Sequence, residues 1–153
     1  MKHYVFAGFI ILCAVIIISE SLHLRTVPSS SSALFGGVSL RLEYATSAEA
    51  QEMGLGGRAN IPSDYGMLFV FPEDALYGFW MKDMLVSIDI FWLNNKGQVV
   101  SIKQNVATSS YPNVFYPTEP ARYVLETVAG FARANNIATG TPLLLKNIPI
   151  VSE

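Results

Sequence analysis

The feature that most constrains this chain is an unbroken run of fifteen apolar residues near its N-terminus, from Tyr4 to Ile18. A helix formed by this run would have no water-facing side. At about 1.5 Å per residue it would be about 22 Å long, whereas the hydrocarbon core of a bilayer is roughly 30 Å thick. The run therefore predicts one N-terminal hydrophobic helix within residues 1–24, either an uncleaved membrane anchor or part of a removed signal peptide.

The charges around this run predict where the rest of the chain lies. Lys2 precedes the run and no other basic residue occurs before Arg25, so the charge bias favours an N-terminus inside the cell. We therefore expect membrane contact through residues 4–18 and a domain outside the cytoplasm; cleavage would make the protein secreted or periplasmic. The tract from Pro28 to Ser32 indicates a flexible, Ser-rich linker over residues 25–34.

The remaining residues, 35–153, are enough for one domain with a single core. Their composition excludes several chemistries. The only cysteine is Cys13 and the histidines are His3 and His23, so none of them lies in the domain. A Ser-His-Asp triad, a Cys-His pair, a disulfide framework and a zinc or copper site of the usual type are excluded, and no metal or cofactor is expected.

The charge of the domain argues against a nucleic-acid partner. From Ala33 onward eight basic residues stand against eleven acidic ones, a net charge of −3, and the basic residues are scattered along the sequence. Neutralising phosphates requires a clustered basic face. We therefore expect no binding to nucleic acid.

Apolar patterns predict a mainly β domain. Alternation over Val38 to Tyr44 is typical of a half-buried strand, and the continuous run from Met67 to Phe71, ended by Pro72, is typical of a strand covered on both faces. The tetrapeptide Asn94 to Gly97 predicts a hairpin loop with Gly97 in the left-handed conformation. The other strands are expected at Tyr77–Lys82, Ser87–Leu93, Gln98–Lys103 and Leu143–Lys146.

Two short helices are expected among these strands. Thr46 and Glu49 have the spacing of a capping box, which starts a helix that should end near Gly54. A second helix is expected over Val128 to Asn135, while residues 123–127 fit either a strand or a part of that helix. Residues 104–120 form a long loop rich in Pro and aromatic residues, which is either functional or a wrap that completes the core.

Six short motifs follow one another between Leu40 and Leu145: the Gly54, Leu55 and Arg58 region, GMLFVF at 66–71, FWMK at 79–82, IDIF at 88–91, GQV at 97–99 and VLETVAG at 124–130. This order resembles the prokaryotic domain of unknown function family 192 over nearly the whole domain. The resemblance implies a small jelly-roll-like or barrel-like β domain with a few short helices, commonly exported or anchored, and with no established activity.

The chain departs from the usual pattern of that family at two places. Gly56 stands where a Met is common, and Asp83, Met84 and Ser87 replace the commoner Asn, Thr and Pro between FWMK and Asp89. A site that depends on the side-chain amide or the rigidity of this connection is therefore not expected here.

Five residues are candidates for a ligand site: Arg58, Trp80, Lys82, Asp89 and Glu126. In the functional interpretation Arg58 and Lys82 bind an anionic or polar group, Trp80 stacks on it, and Asp89 or Glu126 is an acceptor or an acid/base. In the structural alternative Asp89 is buried beside Phe91 and Leu93 and pairs with Lys82, Arg58 or Arg122, because a lone buried carboxylate is costly.

Glu126 has its own structural alternative, which is to stabilise the N-terminus of the helix expected to follow it. The function that these observations favour is a membrane-anchored extracytoplasmic module that binds a small polar or cell-envelope ligand without catalysis. A carboxylate-dependent hydrolase or lyase acting on envelope material, and a protein-interaction or scaffolding domain, remain the alternatives.

Overall fold

The computed structural model describes residues 31–145. The predicted hydrophobic helix, its contact with the membrane and most of the predicted linker lie outside these residues and stay predictions. Within the described range, no helix is both long and apolar enough to cross a membrane.

The described part of the chain is mainly β, as the sequence predicts. It contains two short α-helices, α1 (Ala48–Met53) and α2 (Phe131–Ala134), and a 3-10 turn at Thr108–Ser110. Its seven strands are β1 (Ser31–Phe35), β2 (Val38–Ala45), β3 (Tyr65–Ala75), β4 (Ile88–Leu93), β5 (Val99–Val106), β6 (Ala121–Val128) and β7 (Leu143–Leu145).

The seven strands form one sheet in the order β5-β4-β6-β3-β2-β1-β7. Only β2 and β3 pair in parallel among these neighbours, and the connection between them carries α1. The sheet curls into a half-barrel. Its two outer strands meet at one end, where Gln98 and Pro142 form a bridge and the Leu143 N–H donates to the Gly97 carbonyl at 2.8 Å.

Two apolar clusters cover the two faces of the sheet. All seven strands contribute to one of them, the strand cluster, which includes Phe35, Leu42, Leu68, Phe91, Leu125 and Leu143. The other, the loop cluster, packs the opposite faces of the central strands against the loops and includes Leu55, Phe69, Phe79, Met81, Ile90 and Trp92. The central strands are therefore covered on both faces, as the apolar run in β3 predicts.

The boundaries of several elements differ from those predicted. β3 does not end at Pro72 but continues to Ala75, because a shift of register after Val70 leaves the proline outside the regular ladder. The segment from Tyr77 to Lys82 is not a strand. Only Phe79 forms a bridge there, with Phe115, and this segment covers the sheet instead of joining it.

The Ser-rich tract also differs from its prediction at its end. β1 begins at Ser31, inside residues 25–34, and pairs with both β2 and β7. Serine-rich composition suggests a linker, but pairing on two sides and the fully buried Phe35 at the end of β1 hold this strand in the sheet.

The two helices are close to their predicted positions. Ser47, not Thr46, caps α1 by accepting from the Ala50 N–H at 3.2 Å, and the helix ends at Gly54 as predicted. Residues 123–127 are strand, since β6 extends to Val128, and α2 begins only after Gly130, whose φ is 86°. The hairpin is confirmed, with Gly97 at a φ of 74°.

Candidate functional site

Three of the five predicted site residues lie at one cavity. Trp80, Lys82 and Glu126 line it, whereas Arg58 and Asp89 are not among its lining residues. The cavity has a volume of about 290 Å³ and opens between α1, the start of the loop after it, β3 and the covering segment that begins at Tyr77. Its size lies near the lower end of the range for small-molecule sites.

Glu126 is the polar residue deepest in this cavity. It lies on β6 between Met67 of β3 and Ile90 of β4, and only 3% of its surface is exposed. Burial raises the pKa of its carboxyl to about 8, against the opposing effects of the Leu55 backbone N–H and the charge of Arg58. The carboxyl is therefore mostly protonated at neutral pH.

One oxygen of this carboxyl is unsatisfied. Within residues 31–145, Glu126 Oε2 is the buried side-chain atom that has no hydrogen-bond partner. Buried polar groups in proteins are nearly always hydrogen-bonded, since leaving one unpaired costs about 1 to 3 kcal/mol. An unpaired oxygen at the wall of an open cavity points to a bound group or water as its partner.

Gly54 leaves room for this carboxyl. A Cβ at Gly54 would lie 3.3 Å from Phe69 Cζ and 3.5 Å from Glu126 Oε2. Its φ of 52° and ψ of −136° form a combination that essentially only glycine adopts. The residue that ends α1 therefore also shapes the wall of the cavity beside Glu126.

Aromatic rings form much of the remaining wall. The rings of Phe71 and Tyr77 are stacked with centroids 3.6 Å apart, and Phe79 packs edge-on against Phe69 at 4.8 Å. The indole Nε1 of Trp92 donates to the Tyr77 carbonyl at 2.8 Å and so fixes the covering segment to the sheet. Trp80 remains 39% exposed at the cavity.

Three other polar side chains of the cavity, Gln51, Glu52 and Lys82, are already engaged. Lys82 Nζ lies 2.6 Å from Glu52 Oε1, and this hydrogen bond and charge raise the lysine pKa. The Gln51 amide donates to the carbonyls of Ala45 and Val70 at 3.2 and 3.0 Å. Lys82 and Glu52 are both exposed, so they neutralise each other where the cavity meets solvent.

Asp89 lies on the opposite face of the sheet and has no lysine or arginine partner among residues 31–145. It is fully buried, and its carboxylate accepts hydrogen bonds from the backbone N–H groups of Asn105, Gly130 and Ala132 at 2.7, 3.2 and 2.8 Å. The predicted ion pair with Lys82, Arg58 or Arg122 is therefore wrong. Backbone amides satisfy this carboxylate in place of a side-chain cation.

The role predicted for Glu126 at a helix N-terminus belongs to Asp89. Glu126 lies within β6, five residues before Phe131, the first residue of α2. Asp89, in contrast, accepts a hydrogen bond from the Ala132 N–H in the first turn of that helix. Sequence order suggested Glu126 because it is near the helix along the chain. The sheet brings Asp89 there from another strand, which a pattern in one sequence does not reveal.

Arg58 belongs to a separate, half-buried group. Its guanidinium donates to Tyr65 Oη at 2.7 Å and to both oxygens of Glu43 at 2.9 and 3.0 Å, and Tyr65 donates to Glu43. Burial and the hydrogen bond to Glu43 raise the pKa of Tyr65 to about 12. Although burial alone would raise the pKa of Glu43, its hydrogen bonds to Arg58 and Tyr65 lower it.

The remaining predicted partner, Arg122, pairs with Asp74 at 2.9 Å. Within the described range no three His, Cys, Asp or Glu side chains are grouped in a way that could hold a metal ion. Glu52, Tyr77 and Gly78 line the cavity although no sequence pattern singled them out. Glu52 is on the helix and the other two are in a segment predicted as a strand, so their approach depends on the tertiary fold.

Comparison with known proteins places the chain in a family. The profile of domain of unknown function family 192, described as Uncharacterized ACR, matches residues 32–145, and the chain belongs to this family. No curated protein matches the chain.

Two solved structures are similar to it. A protein from Sinorhizobium meliloti 1021, described as a proposed transcription regulator, superposes with a TM-score of 0.70 at 26% identity, over 74% of this chain and 91% of that one. A protein of unknown function from Novosphingobium aromaticivorans DSM 12444 has a TM-score of 0.67 at 24% identity, over 73% of this chain and 82% of that one, and shows the fold alone.

Proposed function

We propose that this protein is a membrane-tethered, extracytoplasmic module that binds a small ligand in the cavity beside Glu126. The observation that carries this proposal is the unpaired Glu126 Oε2, buried at the wall of an open cavity. An unsatisfied buried carboxyl oxygen costs stability, so its presence at this cavity favours a functional use. The aromatic lining supplies apolar surface for the body of the ligand.

The charges at the cavity favour a ligand that is not an anion. The lysine of the cavity, Lys82, is paired with Glu52, and Arg58 is paired with Glu43 in a neighbouring group. Neither cation is left to neutralise an added negative charge. The ligand is therefore a neutral or cationic molecule that presents a hydrogen-bonding group to Glu126.

Regulation of transcription by binding DNA is not supported for this chain, although the Sinorhizobium protein is described as a proposed transcription regulator. Of the basic residues in the described range, four are engaged in ion pairs: Arg41, Arg58, Lys82 and Arg122. The net charge from Ala33 onward is −3. A clustered basic surface, which phosphate binding requires, is not supplied by these residues.

The ligand-binding proposal can be tested by native mass spectrometry of the full-length protein purified from its membrane fraction. We expect a co-purified small molecule on the wild type and its loss from the Glu126→Gln variant. Glu119→Gln is the matched control, because it removes an exposed carboxylate that does not line the cavity and leaves both the buried oxygen and the Lys82–Glu52 pair in place. Equal retention by both variants would contradict a site at Glu126.

The membrane tether is a separate part of the proposal and rests on the apolar run from Tyr4 to Ile18. We expect the full-length protein to sediment with membranes and a reporter on its C-terminus to be active only outside the cytoplasm. A shortened, soluble extracytoplasmic form would mean that this run is part of a cleaved signal peptide and not an anchor. A soluble cytoplasmic protein would contradict both.

A second candidate function, a hydrolase or lyase, has one observation in its favour. Glu126 retains its proton near neutral pH, as a general acid must, and Glu52 is a second carboxylate at the same cavity. The discriminating measurement is whether a ligand released from the wild type is chemically altered relative to the ligand retained by Glu52→Gln. An unaltered ligand favours the binding module.

A further inference from the structure

We propose that the ligand of this cavity is a small molecule with one primary ammonium group and an apolar, ring-bearing body, bound with its ammonium group against Glu126. This inference rests on the proposed binding function and names the chemical class of the ligand. It depends on three properties of the cavity, which are the number of free polar groups, the sign of the available charge and the nature of the walls.

The number of free buried polar groups limits the ligand to one buried polar head. Of the polar side chains that line the cavity, Gln51 donates to two backbone carbonyls and Lys82 is paired with Glu52. Glu126 Oε2 is buried and has no partner. A ligand with many hydroxyl groups, such as a sugar, would leave most of its own polar groups unpaired against the aromatic walls, which is costly.

The sign of the charge selects a cation. With the Lys82–Glu52 pair neutral, an ionised Glu126 would leave the cavity with one net negative charge, which an ammonium group cancels. The other charged group that acts on Glu126 is Arg58, and it is bound to Glu43 and Tyr65. An ammonium ion donates hydrogen bonds to a carboxylate, and this charge-assisted bond is stronger than one to a neutral group.

The walls are suited to the same ligand. Aromatic faces attract cations that have been removed from water, and rings also pack against the apolar body of a ligand. Phe71, Tyr77 and Trp80 line the cavity together with Glu126. A volume of about 290 Å³ holds a single ring with a short chain and excludes large molecules.

Three probes that share one ring and one chain length test this inference: 2-phenylethylamine, 2-phenylethanol and 3-phenylpropionate. Each is titrated into the full-length protein in phosphatidylcholine nanodiscs, with empty nanodiscs as the blank for partitioning. The change in Trp80 fluorescence reports binding. The other tryptophan, Trp92, is only 1% exposed, so the signal should disappear in Trp80→Phe if it comes from Trp80. Calorimetry in buffers of different ionisation enthalpy counts the protons released.

We expect the amine to bind at least tenfold more tightly than the alcohol, and the carboxylate not to bind. Because the pKa of Glu126 is about 8 before binding, pairing with the ammonium group should release about 0.9 proton per amine at pH 7. In Glu126→Gln, amine affinity should fall at least tenfold and proton release should vanish, while the affinity for the alcohol stays the same.

The contrary outcomes separate the two proposals. If the alcohol or the carboxylate binds as tightly as the amine, or if the amine releases no proton, the ammonium inference is wrong and ligand binding in the cavity stands. Tight binding of the carboxylate would in addition contradict the exclusion of anionic ligands. If none of the three probes changes Trp80 fluorescence or gives heat above the blank, the ammonium inference is wrong, and the mass-spectrometric test of Glu126→Gln decides the binding function independently. The number of protons released is measured on the wild type, so this test does not depend on the folding of any variant.

Discussion

The carboxylate of Asp89, on β4, accepts a 2.8 Å hydrogen bond from the backbone N–H of Ala132, in the first turn of α2. The same carboxylate accepts from Asn105 at the end of β5 and from Gly130 before the helix. One buried side chain thus ties a strand, its neighbour and a helix together. The family motif at residues 88–91 therefore has a structural role at this aspartate.

Asp89→Asn should destabilise the domain. The amide keeps one acceptor oxygen but places N–H groups where backbone donors already point, so at least one buried N–H loses its partner. Hydrogen bonds to a charged acceptor contribute about 1.5 to 3 kcal/mol each. We expect a loss of about 2 to 3 kcal/mol in the free energy of unfolding, measured as a lower urea midpoint at an unchanged slope.

The same measurement distinguishes this role from an ion pair with lysine. Lys82 is exposed and bound to Glu52, so Lys82→Met should leave the urea midpoint unchanged. In the double variant the effects should add, and the coupling energy between Asp89 and Lys82 should be near zero. A clear coupling between them would contradict the structure.

The pH dependence of stability should carry the signature of Glu126. Burial raises its pKa from about 4.5 to about 8 in the folded state, so between these values the folded protein holds a proton that the unfolded chain has lost. Stability contributed by this proton is complete below about pH 4.5 and is lost as the pH rises through about 8. Relative to Glu126→Gln, the wild type should therefore lose stability, on the order of a few kcal/mol, between pH 5 and pH 8.

Urea unfolding of both proteins at several pH values checks this expectation. The glutamine variant has no proton to lose at this position, so the difference between the two curves isolates Glu126 from all other groups. Parallel curves from pH 5 to pH 8 would mean that the carboxyl titrates normally and is not buried as described.

Gly54→Ala should be destabilising because of its backbone conformation and its neighbours. An alanine at a φ of 52° and ψ of −136° is strained, and its Cβ would press on the Phe69 ring beside the Glu126 carboxyl. Strain of this kind costs about 1 to 3 kcal/mol. Thermal and urea unfolding should both show the loss.

Gly57→Ala is the matched control for this substitution. Gly57 also has a positive φ, 72°, but a Cβ there would meet no atom within 4 Å. Its cost should be limited to about 1 kcal/mol, from the left-handed backbone alone. Equal losses at the two glycines would show that the space beside Glu126 does not matter.

Phe35→Ala should cause one of the largest losses of stability in the domain. Phe35 is fully buried, packs edge-on against Phe91 with centroids 5.1 Å apart and stacks on Phe131 at 6.0 Å. Removing a buried phenylalanine side chain costs about 3 to 5 kcal/mol. Its neighbour Leu34 is 47% exposed, so Leu34→Ala should change the urea midpoint little. Similar effects at both positions would mean that β1 is not part of the sheet.

Local patterns were enough to predict much of the fold. The alternation from Val38, the apolar run in β3 and the turn at Gly97 depend on neighbours a few residues apart, and all three predicted their elements. The segment from Tyr77 to Lys82 has the same alternation as a strand. Its buried residues pack on top of the sheet, and periodicity does not distinguish packing on a sheet from pairing within it.

The candidate site was predicted less completely. Burial of Asp89 was expected from its place on an apolar strand, whereas Glu126 was expected to stabilise a helix N-terminus. The partners themselves depend on which strands are neighbours. The order β4-β6-β3 places Glu126 in the middle of the sheet and Asp89 on its other face, and no local pattern encodes that order.

The contact at Gly97 between the two outer strands of the sheet affects how the protein behaves among other copies of itself. The open edges of a sheet are templates on which further chains add strands, and proteins protect them. Here the Leu143 N–H donates to the Gly97 carbonyl and the Gly140 N–H donates to the Val99 carbonyl, both at 2.8 Å. At this contact, backbone groups at the two edges of the sheet are therefore hydrogen-bonded to each other. A Cβ at position 97 would lie 2.9 Å from the Leu143 carbonyl oxygen, so only glycine allows this contact. A substitution at Gly97 would therefore open this contact and leave more of both β edges accessible to the strands of other chains.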